Sequence, residues 1–172
     1  MIKDKKLVAD FLASKGLRAE EFSKEEKKRS KAPDFRVFDE HGLAFFCEVK
    51  SLFGSNWFGG ARPDPTYNRV SQKIYEAVKQ FNAVNPHLDY PNVLVFVNHY
   101  KGSDVKDLRF VCEGGVKTDS GRWLPIYRKF SEGRIRDKKR RIHLYIWIDV
   151  FNGEPNDFRL HNLDSPEYLD RL

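Results

Sequence analysis

Three residues of this 172-residue chain have types and spacing suited to hydrolytic chemistry: Asp34, Glu48 and Lys50. Glu48 and Lys50 are two apart, so on a β-strand both leave the same face. Val49 between them turns the other way and anchors the strand in a core. Asp34 directly follows Pro33, and thirteen residues separate it from Glu48, a gap of hairpin length. A tight hairpin brings the two carboxylates together. Converging carboxylates are hard oxygen ligands of the kind Mg2+ takes, with water and substrate phosphate completing its shell. An ammonium beside such an ion orients a water and helps ionise it, and both cations offset charge building on phosphorus oxygens. Phosphodiester hydrolysis needs those parts.

Glu-x-Lys alone is a weak signal, because a chain rich in both residues matches it by chance. Glu25-Glu26-Lys27 and Glu26-Lys27-Lys28 also match, but they fall in a run of charges with no strand to hold them. Asp89 with Asp104-Val105-Lys106 has nearly the right spacing, but Lys101-Gly102-Ser103 predicts a loop there. Pro63-Asp64 precedes Glu76-Ala77-Val78, which has no lysine. Only the Asp34 set joins a Pro-Asp start, a hairpin and an alternating apolar strand.

The elements that must position these groups are legible in part. Residues 3–15 predict an amphipathic helix with Leu7, Val8, Phe11 and Leu12 on one face and Gly16 as its stop. A short strand near 18–23 and an exposed basic connector, Lys24 to Lys31, follow. Phe35 to Phe38 is one hairpin strand, Asp39-Glu40-His41-Gly42 supplies turn chemistry, and Leu43 to Lys50 returns. In the return strand Leu43, Phe45, Cys47 and Val49 point one way, while Ala44, Phe46, Glu48 and Lys50 point the other. Residues 53–67 are loop-like, and a helix from about Asn68 to Asn82 carries the stripe Ile74, Ala77, Val78, Phe81. Val93 to Val97 reads as a strand covered on both faces. Residues 107–113 predict a further strand, 114–141 an irregular polar stretch, 143–150 a last strong strand, and the tail from Asn152 a loop. The expected fold is one α/β domain over residues 1–172, a mixed sheet flanked by helices.

Pro33-Asp34 and Glu48-Val49-Lys50, on a hairpin inside this element order, resemble the PD-(D/E)XK nuclease superfamily. The resemblance covers about residues 3–98 and implies a restriction-endonuclease-like αβββαβ core; residues 99–172 form a C-terminal extension beyond it. It implies that Asp34 and Glu48 bind Mg2+, with Mn2+ able to substitute, that the Val49 carbonyl adds a ligand, and that Lys50 positions the attacking water. Many members carry a further acid on the first helix. Asp4-x-x-Leu7-Val8 resembles that placement, with Glu20, Glu21, Glu25 and Glu26 as competitors. Gln72-Lys73-Ile74-Tyr75 is one residue short of the Gln-x-x-x-Tyr of some exonuclease branches, which favours an endonuclease.

The rest of the chain bounds the setting. Its 31 Lys and Arg against 25 Asp and Glu, net +6, suit a polyanionic partner, DNA above all. Lys73 and Gln80 on the helix, and Arg136, Lys138 and Arg140 in the basic run 134–141, are candidate phosphate contacts, each weighed against a plain solvated surface. Trp57 and Phe58 are candidates for stacking on a base or for packing their own loop. Cys47 and Cys112 make no disulfide framework, no apolar run reaches a membrane span and no signal peptide is evident, so a cytoplasmic protein is expected. The five histidines lack zinc-ligand spacing, Ser51 suits a strand end better than a nucleophile, and no Gly-rich loop predicts a nucleotide cofactor. Paired cuts would need a two-fold homodimer. The rival readings are a binding module of the same fold that does not cut, and a basic domain that meets an acidic protein.

Overall fold

The computed structural model describes residues 2–54, 65–125, 137–151 and 154–161. In chain order the elements are α1 (Ile2–Ser14), β1 (Arg18–Glu21), α2 (Lys24–Arg29), β2 (Phe35–Asp39), β3 (Gly42–Leu52), α3 (Pro65–Val84) and β4 (Asn92–Asn98). After these come α4 (Val105–Glu113), β5 (Gly115–Lys117), β6 (Trp123–Pro125), one 3-10 turn (Lys139–Arg141), β7 (Leu144–Phe151) and β8 (Glu154–His161). Six strands form one sheet in the order β1-β2-β3-β4-β7-β8, while β5 and β6 pair apart from it. β3, β4 and β7 run parallel; β1 with β2, β2 with β3, and β7 with β8 are antiparallel. The sheet is therefore mixed, and the expected α/β class holds.

The alternation of the central strands explains the two-sided core. Val93, Val95 and Val97 of β4 join Cys47, Val49, Leu144, Ile146 and Ile148 on the face covered by Val8 and Leu12 of α1. Leu94 and Phe96 turn the other way, to Ile74, Ala77, Val78 and Phe81 of α3 and to Leu108 and Val111 of α4. Every residue of β4 is buried, as a strand covered on both faces requires. Tyr145 and Trp147 of β7 are fully buried in the same α3-side cluster. β7 and β8, from beyond residue 98, thus complete the sheet. No helix among the described residues is long and apolar enough to cross a membrane.

Four segments differ from expectation. Lys24–Arg29 is helical, not a connector: the Ser23 hydroxyl accepts the Glu26 N–H and the Glu26 carboxylate accepts the Ser23 N–H, a reciprocal capping box. Residues 107–113 lie in helix α4, not a strand. Val105, Leu108, Val111 and Cys112 make its buried stripe, Asp104 caps its start, and Gly114 at φ 82° ends it in the left-handed region. The tail beyond Asn152 is not all loop, because Glu154–His161 pairs with β7. Within 114–141, β5 and β6 form a small hairpin.

Candidate active site

A one-residue register detail brings the two carboxylates together. At the turn end of the β2–β3 hairpin, Asp39 pairs with Gly42 and Phe38 with Leu43; beyond an irregularity at Val37/Phe38, Val37 pairs with Phe45 and Phe35 with Cys47. Ala44 is the extra residue, a β-bulge. Ala44 and Phe45, consecutive in sequence, accordingly both join the α1-side core, while Leu43 packs on the α3 side with Phe46. The strict alternation expected for Leu43 and Ala44 is thus reversed, while that of Phe45 to Lys50 holds. Continuing the register one residue beyond Phe35 sets Asp34 opposite Glu48. Residues directly opposite on antiparallel strands send their side chains to one face, with Cβ atoms about 5 Å apart.

The Val49 N–H donates to Asp34 Oδ2 at 3.0 Å. In an extended strand the N–H and C=O of one residue point to the same edge. The Val49 carbonyl therefore also faces the Asp34 side, past the end of β2. Glu48 Oε1 accepts from Lys50 Nζ at 2.7 Å, whereas the buried Glu48 Oε2 has no hydrogen-bond partner. Lys50 Nζ also donates to Gln80 Oε1 of α3 at 2.8 Å and lies 3.9 Å from Glu76 Oε2. The Gln80 amide N–H in turn reaches the Ala32 carbonyl at 3.4 Å, so α3 and the segment before β2 together aim Lys50.

Electrostatics mark Glu48 as the unusual group. Burial raises its carboxyl most and the charge of Asp34 adds to this, while Lys50 and Gln80 oppose; the result is a pKa of about 7. Lys5 of α1 sits on Asp34 Oδ1 at 2.5 Å. Partial burial disfavours its charge, but the hydrogen bond and charge of Asp34, helped by Glu21 and Glu48, outweigh this and raise its pKa. Glu76 is partly desolvated, yet the Gln72 hydrogen bond and the charges of Lys73 and Lys50 hold its carboxyl below the ordinary range. These groups meet at a cleft of about 420 Å3 whose lining includes Lys5, Asp34, Lys50, Glu76 and Gln80.

The other anticipated residues lie as follows. Asp4 is buried, but its Oδ2 accepts from the Ser51 hydroxyl and its Oδ1 lies 3.1 Å from His99 Nε2, so these oxygens tie α1 to the ends of β3 and β4. Lys73 pairs with Glu76 at 3.4 Å, and Gln80 is taken up in holding Lys50. Lys138 stands 5.0 Å from the centre of the Tyr75 ring on α3, and Arg140 is exposed. Arg136, Trp57 and Phe58 lie outside the described residues. Sequence reasoning missed Lys5 and the pairing role of Glu76, because partners 29 and 26 positions away leave no local signal. Among the competing acids, Glu26 is committed to Arg36 and to the cap of α2; those contacts hold its carboxyl at about 2.

Comparison with models of protein families, with curated proteins and with solved structures finds no match. The donor set must therefore carry the argument. Asp34 lies near enough for its charge to act on Glu48, Glu48 keeps a buried oxygen without a partner, and the Val49 carbonyl faces the Asp34 side. Leaving a buried carboxylate oxygen unsatisfied costs at least about 1–3 kcal/mol. A hard divalent cation removes that cost, so the residues fit one.

Proposed function

We propose that the protein is a metal-dependent nuclease of the PD-(D/E)XK type that hydrolyses phosphodiester bonds of DNA, as an endonuclease. The observation that carries this is the buried, unpartnered Glu48 Oε2, with Lys50 2.7 Å from the other Glu48 oxygen and with Asp34 and Lys50 lining a cleft. Asp34, Glu48 and the Val49 carbonyl would hold Mg2+ or Mn2+, which supplies positive charge to the phosphate oxygens and acidifies a bound water. Lys50, aimed by Gln80, orients the attacking water and adds its own charge beside the phosphate. Gln80 acts by holding Lys50 and by favouring the charged form of Glu48. Lys5 neutralises Asp34; a cation held by Asp34 would free that ammonium for a substrate phosphate.

Cleavage of supercoiled plasmid and of a labelled single strand, with Mg2+ or Mn2+ against EDTA, tests the assignment. Wild type should cut only with metal. Lys50→Ala should lose at least a hundredfold in rate, on the order of removing one preorganised charge from a transition state, while keeping the wild-type circular dichroism. Full activity in Lys50→Ala sinks the reading. A non-cutting binder of the same fold is the second reading. The Lys5–Asp34 contact favours it, since an ammonium already supplies Asp34 with a counter-charge. Wild type that binds DNA yet cuts neither duplex, junction, single strand nor RNA would establish it.

A further inference from the structure

The cleft holds more charge than the candidate chemistry uses. Lys5 and Lys50 at its foot are matched by Asp34 and Glu48. Lys27 and Lys31, with Ser30 between them in the chain, and Lys79 of α3 also line it. Lys27 has only a loose pairing, 3.8 Å from Glu21, and Lys31 and Lys79 are exposed. Five lysines therefore face two lining carboxylates, Asp34 and Glu76. A concave wall of one sign focuses its field outward and concentrates anions. The basic side extends beyond the cleft, because Lys79 and Lys138 both stand over the Tyr75 ring, at 4.3 and 5.0 Å. No aromatic side chain is among the residues lining the cleft, so among the described residues it offers no platform for stacking bases.

We propose that Lys27 and Lys31, from α2 and the segment after it, and Lys79 of α3 bind the phosphates flanking the one that Asp34, Glu48 and Lys50 act on. The cleft thus takes a nucleic-acid backbone, and these lysines do not read its bases. This rests on the nuclease reading for the identity of the central phosphate, but the binding itself needs no metal. The capping box that holds Ser23 to Glu26 fixes the helix carrying Lys27, and α3 is anchored by its buried stripe, so both helices are preset. Phosphate contacts position a strand without carrying sequence information.

The test is fluorescence anisotropy in EDTA, with two single-stranded 20-mers of unrelated sequence and their duplexes, over a range of salt. Wild type should bind both sequences within about threefold of each other. The triple variant Lys27→Ala, Lys31→Ala, Lys79→Ala should bind at least tenfold more weakly. Its salt slope should fall by about 2 on single strands or about 2.7 on duplex, the counterion release of three phosphate contacts. Stronger binding of the single strands, or of the duplexes, identifies which form presents the backbone; either agrees with the proposal. Replacing the same three residues by arginine should keep wild-type affinity, and Lys106→Ala on α4, outside the cleft, should change nothing. A triple alanine variant that binds within twofold of wild type overturns the proposal, as does wild type that fails to bind at low salt. Arginine replacements that bind no better than alanine overturn it too. The outcomes separate from those of the nuclease reading. Cutting with an unaffected triple variant leaves the nuclease and removes these contacts; lysine-dependent binding without cutting does the reverse.

Discussion

Glu48 is placed where its charge is unwelcome without a partner. Its pKa of about 7 has burial as its first cause, and the sign of the consequence is unusual for a carboxylate. The folded protein holds the Glu48 proton more tightly than the unfolded chain does, for which 4.5 is the ordinary value. The stability this gives is fully present below pH about 4.5 and is lost as pH rises through about 7. Above that, a buried carboxylate with one unpaired oxygen remains, a penalty on the order of 3 kcal/mol. Glu48→Gln should therefore gain on wild type between pH 5 and pH 8.5 when unfolded by urea in EDTA. A constant difference across that range would show that Glu48 does not titrate there.

At the scale of the element, α2 has only six residues, too few to persist alone in water. What keeps it is the reciprocal capping box and the contact of Glu26 with Arg36, whose guanidinium also lies 3.8 Å over the Phe22 ring. Ser23→Ala removes one half of that box and should cost about 1 kcal/mol. Because no residue of α2 is buried, the loss should appear as local fraying. Faster hydrogen exchange at the Lys27 and Ser30 amides, with the global urea midpoint little changed, is the expected result. An equal effect on amides of β4 would mean that α2 opens only with the whole domain.

At the scale of the whole molecule, the proposed metal site would couple metal to stability. Asp34 and Glu48 come together only in the folded sheet, so a cation they hold binds the native state and not the unfolded chain. Mg2+ or Mn2+ at a hundred times its Kd should add about 2.7 kcal/mol, which for a chain of this size is several degrees of Tm. Glu48→Gln and Asp34→Asn should flatten that response, while Lys50→Ala should keep it, since lysine is no ligand. Calorimetry with and without metal reads the difference. A Tm that rises equally in Glu48→Gln would place any bound cation elsewhere.

By itself the sequence determined those parts that local pattern dictates. The stripe Ile74, Ala77, Val78, Phe81 reads as the inner face of a helix and Val93 to Val97 as a strand with both sides covered, and the fold has both. Asp39 to Gly42 set the hairpin, and the two-residue spacing put Glu48 and Lys50 on one face. Short amphipathic runs such as Val105 to Cys112 fit either period, and packing against α3 decided for the helix. Whether Asp34 met Glu48 or Cys47 was decided by the bulge at Ala44, since one residue of register exchanges the faces of a strand. Lys5 on Asp34, Gln80 on Lys50, and the meeting of Lys27, Lys31 and Lys79 at one cleft were decided by how α1, α2 and α3 settle around the sheet edge. Such contacts join residues far apart in the chain through the geometry of the whole core, and no spacing along the sequence encodes them.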